Sequence, residues 1–436
     1  MRRVVAAVAS VVVGVVVLTG AATTPTPQDS VDPVRASEYW LDQYGITEAW
    51  KTTRGAGQKI AIIDTGIARG PVEFSGAVVG GTDVSGVGAA DGRTPVGAVD
   101  SNHGSWVASL AASRGTGDGK GMIGVAPDAE LLSISVGFGS VTSKSFTEQI
   151  VDAMHWAVDQ GATVINMSLT TNTLDWDPSW DEAFQYAFDH DVVVVVAAGN
   201  RGSGTSRVGA PATIPGVLAV GGVDPSGTAS NDASTQGITI GLSAPSERLL
   251  GVSADGSLVQ WNGTSGAAPI VSGIAALVRA AHPDLDADNV LNRLIRTAKS
   301  APGAGSGQDP LYGYGLVDAA AAVSSVSVPS VSSNPLGDLA EWVRLYRRAN
   351  APAPTGAATS APVEIPALPP VESAPRASSP LLPTRDSLLY GTLPLAGATL
   401  AAIMITLGVS AAARRIRKAR ISREPSRTTN QESLPS

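Results

Sequence analysis

Short, almost unbroken apolar runs separated by longer amphipathic ones constrain this chain more than any other feature. Lys59–Ile63, Leu131–Val136, Thr163–Met167, Val192–Ala197 and Val217–Val220 are dominated by aliphatic residues and are too short for helices. Runs without polar alternation suit strands covered on both faces, as in a parallel sheet. Between and after them, Trp106–Ser113, Ser145–Gln160, Asp181–Asp189, Ser265–Ala281, Ala287–Thr297 and Val317–Val323 read as helices. Ser145-Phe146-Thr147-Glu148 has the form of a capping box opening the second of these. The alternation predicts an α/β fold with a mostly parallel sheet. Side chains that perform chemistry then belong at the carboxyl ends of strands.

Hydrophobic residues make up 43% of the 436, enough for a large buried core. The net charge of −8 argues against nucleic acid as a partner. The absence of cysteine removes disulfides, thiolate catalysis and cysteine-ligated metals, without assigning a compartment.

The ends assign it. Met1-Arg2-Arg3 precedes an apolar run from Val4 to Leu18, followed by Thr19-Gly20-Ala21-Ala22. This is the pattern of a secretory signal, residues 1–22, with cleavage expected near Ala22. The competing reading is an uncleaved anchor, and either one carries the downstream domain out of the cytoplasm. A second apolar stretch, 388–413, satisfies the roughly 20 residues that a membrane span requires. Pro394 stands near its start, where a helix tolerates proline. Arg414, Arg415, Arg417, Lys418 and Arg420 come directly after, which predicts a cytoplasmic tail, 414–436, and an extracytoplasmic domain at the cell membrane. Residues 324–387 are rich in Pro, Ala and Ser and read as a tether, in which about 35 extended residues reach about 100 Å. Within Leu336–Arg348, Leu339, Trp342, Val343 and Tyr346 line one helical face, which docks either on the domain or on a partner. The expected organisation is completed by an extension, 23–38, and a globular domain, 39–323.

The chemistry begins with a base. His155 lies mid-helix, His190 lies in a turn before a strand, and His282 ends a helix where it can cap carbonyls. His103, in Asn102-His103-Gly104-Ser105, is approachable and opens a helix. Asp64 ends an apolar strand in Ile63-Asp64-Thr65-Gly66, so it is either a positioned carboxylate or a turn cap. Asp-Thr-Gly also marks aspartic proteases, which need two such carboxylates. No second copy occurs, so that reading would require a symmetric dimer. Ser265, in Asn262-Gly263-Thr264-Ser265-Gly266-Ala267-Ala268-Pro269, sits at the start of a long apolar helix. Its unpaired N–H groups suit an oxyanion; the plainer reading is an N-cap. Asn200 follows Gly199 at a strand end, where its amide can donate to an oxyanion or serve a turn. Asp, His, Asn and Ser occur in that chain order, and the Asp-His-Ser order distinguishes subtilisin-type enzymes from chymotrypsin-type ones.

With these segments together the chain resembles the subtilases. Ala-Ile-Ile-Asp-Thr-Gly-Ile, Asn-His-Gly-Ser-Trp-Val-Ala, Ala-Ala-Gly-Asn and Asn-Gly-Thr-Ser-Gly-Ala-Ala-Pro are similar to the family's signature segments, and Ile165–Leu169 and Val208–Ala212 match as well. The resemblance spans 39–323 and implies a subtilisin-like three-layer fold and a serine endopeptidase acting on protein or peptide substrates through an acyl-enzyme. It implies that Asp64 orients His103, that His103 is general base and then acid, and that Ser265 attacks. Asn200 and the N–H of Ser265 would form the oxyanion hole. Ser168 and Leu169 would pair with substrate as an added strand, and Thr170, Gly199, Gly209, Gly263 and Thr264 would complete the substrate-binding set. No cofactor or metal is called for: Asp83, Asp91 and Asp118 lie in Gly-rich loops, where turn-capping accounts for them.

Thr170-Thr171 stand where many subtilases have glycine, which narrows the pocket rim. Gly266 replaces a frequent Met and removes a site of sulfoxide formation, while Ser105 keeps the hydroxyl of the usual Thr. The stretch from Ala22 to Tyr39 is too short for the family's folded propeptide. Glu38-Tyr39-Trp40-Leu41, Gly313–Asp318, the tether, the span and the basic tail are together similar to the mycosins of type VII secretion. That implies the secretion membrane complex and its exported substrates as partners, with a stabilising structural role as the alternative to proteolysis and general processing of secreted proteins as a further one.

Overall fold

The computed structural model describes residues 32–97, 101–138, 142–305, 307–324, 327–347 and 393–421. The expected signal, 1–22, most of the expected tether and the end of the basic tail lie outside these residues. The chain divides into one unit up to Ala353 and a second from Pro354.

The first unit is organised by a seven-stranded sheet. Its strands are β1 (Lys59–Asp64), β2 (Val78–Asp83), β3 (Glu130–Ser135), β4 (Val164–Met167), β5 (Val193–Ala197), β6 (Leu218–Val223) and β7 (Ile240–Pro245). Their order is β2-β3-β1-β4-β5-β6-β7, and every neighbouring pair is parallel. The chain leaves β1, fills one side with β2 and β3, then crosses to β4 on the other side of β1. This makes the carboxyl end of β1 the switch point, where open α/β sheets place their sites.

The apolar runs are double-sided because both faces are covered. Along β1, Ile60 and Ile62 enter one core while Ala61 and Ile63 enter the other. On the first face lie α2 (Trp40–Gln43), α3 (Ile46–Ala49), α4 (His103–Ala112), α7 (Thr264–Ala281), α8 (Ala287–Arg296) and α9 (Ala319–Ser324); on the second lie α5 (Phe146–Asp159) and α6 (Ser179–Asp189). The capping box of α5 is formed: Glu148 N–H donates to Ser145 Oγ (3.3 Å) and Ser145 N–H to Glu148 Oε2 (2.9 Å).

The N-terminal residues are tied to this body. After α1 (Pro33–Ser37), the Glu38 side chain is buried and Glu38 Oε1 accepts from the N–H of Ile123 at 2.9 Å. The amphipathic segment past the expected domain end forms α10 (Leu339–Tyr346), and it docks on the domain. Leu339 is buried, Trp342 stacks on Trp176 at 4.5 Å, and Arg347 pairs with Asp181 at 2.8 Å. The domain's own contacts thus continue past Val323 to Arg347. Tyr346 does not share in this docking and stays exposed.

In the second unit α11 (Leu393–Ile421) is one helix, and its section Leu393–Arg415 is long and apolar enough to cross a membrane. Leu395, Ile405 and Val409 face outward along it. The core helix α7 passes the same length and composition test but is buried in the first unit.

Candidate active site

Asp64 is the last residue of β1 and is fully buried. Both of its oxygens face His103, whose Nδ1 lies 2.8 Å from Oδ1 and 3.0 Å from Oδ2. An acceptor facing Nδ1 sets which ring nitrogen carries the proton when the imidazole is neutral. Asp64 Oδ1 also accepts the N–H of Thr65 (2.7 Å), so its turn-capping and partner-holding readings are both fulfilled. Thr65 joins the two motifs: its hydroxyl donates to Ser101 O (2.8 Å) and accepts from Gly104 N–H (2.8 Å). The glycines of both motifs meet there. A Cβ on Gly104 would stand 2.6 Å from the carbonyl oxygen of Gly66, so only a residue without a side chain lets α4 start beside the end of β1. The other three histidines have structural partners. His155 stacks on Tyr186 (4.7 Å), His190 donates to Tyr186 O (2.8 Å), and His282 donates to Val323 O (2.7 Å).

Ser265 is the second residue of α7, whose N-cap is Gly263. The N-cap reading of Ser265 therefore does not hold, and its Oγ donates instead to Ser168 O at 3.2 Å. Pro269, four residues on, has no N–H to give the Ser265 carbonyl. That carbonyl accepts from Ser168 Oγ at 2.8 Å. The contact continues inward: Asn166 Nδ2 donates to Ser168 Oγ (3.0 Å), and Ser272 Oγ donates to Asn166 Oδ1 (3.0 Å). A buried polar chain thus fixes the first turn of α7 to the end of β4.

Asn200, just past β5, has Oδ1 occupied twice by Thr264, from its N–H (2.8 Å) and its hydroxyl (2.9 Å). This fixes the amide plane and turns its NH2 toward Gly263, where a Cβ would come within 3.1 Å of Nδ2. Gly263 has φ of 147°, a conformation that L side chains rarely adopt. Gly199 N–H donates to the Thr264 hydroxyl at 3.0 Å. Thr264, expected to touch substrate, is fully buried, with its hydroxyl engaged on both sides.

Leu169 follows Ser168 and is nearly buried. Thr170 Oγ1 donates to Thr171 O (3.0 Å) and lies 3.4 Å from Gly209 O, and its methyl packs toward Gly199. Thr170, Gly199 and Gly209 are therefore neighbours. Gly266 has a packing reason beyond oxidation: a Cβ there would lie 2.2 Å from Leu249 and 3.3 Å from Trp261. Ser105 is buried and accepts the N–H of Ala68 (2.9 Å). Asp83 caps its loop through the N–H groups of Gly86 (2.9 Å) and Gly88 (3.0 Å), and Asp91 pairs with Arg69. Among the described residues no cluster of three or more acidic or His side chains is arranged to hold a metal.

Thr65, Asn166 and Ser272 do not stand out from the sequence as site residues. Asn166 carries a signal, a polar residue inside an apolar strand. So does Thr65, inside the Asp-Thr-Gly turn.

The profile described as the subtilase family matches residues 55–315. The chain belongs to the subtilases. It is 34% identical over 331 residues to mycosin-4 of Mycobacterium tuberculosis, covering 66% of this chain and 69% of that one. It is 36% identical over 277 residues to subtilisin DY of Bacillus licheniformis, covering 62% and 92%. Among solved structures, MycP1 with its N-terminal propeptide removed aligns with a TM-score of 0.57 at 31% identity, covering 67% of this chain and 98% of that one. The MycP3 protease from the type VII (ESX-3) secretion system aligns with a TM-score of 0.56 at 34% identity, covering 69% and 90%. This subtilase is a mycosin-like serine peptidase.

Proposed function

We propose that this subtilase is a membrane-anchored, extracytoplasmic endopeptidase in which Asp64, His103 and Ser265 form the catalytic triad and Asn200 shares the oxyanion hole with the Ser265 N–H. The observation that carries the proposal is the double approach of His103 Nδ1 to the buried Asp64 carboxylate at the switch point of the sheet. In the first half-reaction Ser265 Oγ attacks the peptide carbonyl carbon and its proton passes to His103 Nε2. The oxyanion is met by Asn200 Nδ2 and the Ser265 N–H. The C–N bond breaks as His103 returns the proton to the departing amine. Water, deprotonated by His103, then attacks the acyl ester, and Ser265 recovers its proton as the carboxylic acid leaves. Asp64 stabilises the imidazolium throughout without taking its proton.

Export and anchoring are supported by the signal-like start, the apolar part of α11 and the basic residues at its end, a pattern that favours a cytoplasmic tail. A type VII secretion role rests on the similarity to the mycosins and to MycP3. Hydrolysis of a peptide library by the full chain in detergent tests the chemistry: His103→Ala and Ser265→Ala should both lose turnover, and retained turnover in either defeats the triad. In cells, assembly of a secretion complex that survives Ser265→Ala but not gene deletion would favour the structural role over proteolysis.

A further inference from the structure

A basic cleft opens on the first unit, remote from Asp64 and His103. It encloses about 480 Å³ between Arg35, Arg54, Arg114 and Trp50, with Asp118 also in its lining. Arg54 leads into β1, and its carbonyl accepts the N–H of Asp128 (3.0 Å) just before β3. Arg114 follows the last turn of α4, roughly 15 Å along that helix from His103. The cleft therefore lies at the amino ends of β1 and β3, whereas Asp64 and His103 meet at the carboxyl end of β1.

Its guanidiniums are held in place but poorly neutralised. Trp50 Nε1 donates to Val125 O (2.7 Å), which fixes the indole, and Arg54 lies over that ring at 4.6 Å. Arg54 also faces Asp128 at 3.6 Å, with both side chains partly exposed. Arg35 Nη2 donates to the uncharged carbonyl of Lys120 (3.3 Å), and Arg35 Nε is buried without a hydrogen-bond partner. Glu38 stands 3.9 Å from that nitrogen, but burial pushes its carboxyl up to about 8, so it is mostly uncharged at neutral pH. Arg114 makes no side-chain hydrogen bond or ion pair among the described residues, and Asp118 pairs with none of the three arginines. Burial and the charge of Arg54 both push Arg35 below its ordinary value, a repulsion that an anion between them relieves. In a chain of net charge −8, three guanidiniums converging on one hollow are a local surplus that composition does not explain.

We propose that this cleft is an exosite that docks an acidic polypeptide segment, whose carboxylates are taken by Arg35, Arg54 and Arg114. The guanidinium fork matches a carboxylate with two parallel hydrogen bonds. Three such forks around one hollow suit a run of Asp and Glu better than a single small ion. A bilayer surface is flat and is met by cations on a convex face, whereas these line a concavity with an indole in its wall. Being at the far end of the sheet, the site holds a protein by a segment distant from Ser265. Short peptides do not reach both places, so their turnover does not depend on it.

The test measures anisotropy of a fluorescent hexaglutamate peptide with the full chain in neutral detergent, carrying Ser265→Ala so that the probe stays intact. Binding should saturate and weaken with added salt. Arg114→Gln should weaken it by about tenfold or more, the loss expected for a charge-assisted pair, and Arg114→Lys should restore part of it. Arg114 is exposed and unpartnered, so its replacement spares the fold; with Ser265 intact, Arg114→Gln should cleave a short fluorogenic peptide at the wild-type rate. Arg296→Gln, at the end of α8, should leave hexaglutamate binding unchanged. Absence of saturable binding overturns the inference, and so does equal weakening by Arg296→Gln, which would make the attraction non-specific. Displacement of the probe by inorganic phosphate as readily as by unlabelled hexaglutamate would make this a small-ion site. Displacement by phosphatidylglycerol micelles alone would make it a lipid site. Either result overturns the assignment to an acidic chain.

Discussion

Thr264 holds Asn200 by two hydrogen bonds to one oxygen, 2.8 Å from its N–H and 2.9 Å from its hydroxyl. An amide with Oδ1 so occupied has only its NH2 to offer outward. Thr264→Val keeps the shape, removes the hydroxyl and leaves Gly199 N–H without its acceptor. We expect kcat to fall about tenfold or more with KM little changed, approaching the roughly 10²–10³ loss expected for Asn200→Ala. Thr264→Ser should retain activity. Steady-state kinetics on one peptide decide the matter, and equal kcat in wild type and Thr264→Val would detach Thr264 from Asn200's task.

The chain Ser272–Asn166–Ser168–Ser265 is a stability element as well as a positioning one. Replacing Asn166 by Leu leaves the buried Ser272 hydroxyl without its acceptor and takes one of two partners from the Ser168 hydroxyl, which keeps the Ser265 carbonyl. With one buried group orphaned, a loss of about 1–3 kcal/mol is expected. Denaturant unfolding reads this directly, and a change within about 0.5 kcal/mol would show that the groups find other partners.

Glu38 makes folding stability depend on pH. Burial pushes its carboxyl up from 4.5 to about 8, against the opposing pull of the Ile123 N–H and Arg35. The native chain therefore binds this proton more tightly than the unfolded one. The stabilisation is complete below about pH 4.5 and is lost progressively as the pH rises toward about 8. Glu38→Gln keeps an acceptor for Ile123 and removes the titration. Its melting temperature should exceed that of wild type at pH 8, and its slope across the window should be shallower. Parallel curves for the two proteins would contradict this.

Membrane attachment is expected to reside in α11 alone. A chain ending at Asp386 should appear in the aqueous fraction, while the full chain should need detergent and resist carbonate extraction. Membrane retention of the shortened chain would place the anchor elsewhere.

The strands most readable from sequence, β1 and β3 to β6, lie inside the sheet, paired on both sides and packed on both faces. Their side chains have nowhere polar to go, so each run is apolar throughout. The two strands without such a signal, β2 and β7, are the edges. Val78–Asp83 carries paired glycines and half-buried positions, and Ile240–Pro245 carries Gly, Ser and Pro, so neither shows an apolar run. The catalytic candidates are legible because Asp64, His103, Asn200 and Ser265 each lie in a distinctive short segment. Their supports are less so. Pairing Asn166 with Ser272 requires knowing that α7 crosses β4. Gly266 illustrates the same limit: in sequence it is a missing methionine, and in space it is room for Leu249 and Trp261.

The central claim is that Ser265 is the nucleophile, and covalent capture tests it most directly. The full chain in detergent, treated with a peptidyl diphenyl phosphonate and digested, should yield one modified peptide by mass spectrometry, with the adduct on Ser265. The adduct should vanish in Ser265→Ala and form far more slowly in His103→Ala. An adduct on another residue, or undiminished labelling of Ser265→Ala, would contradict the account.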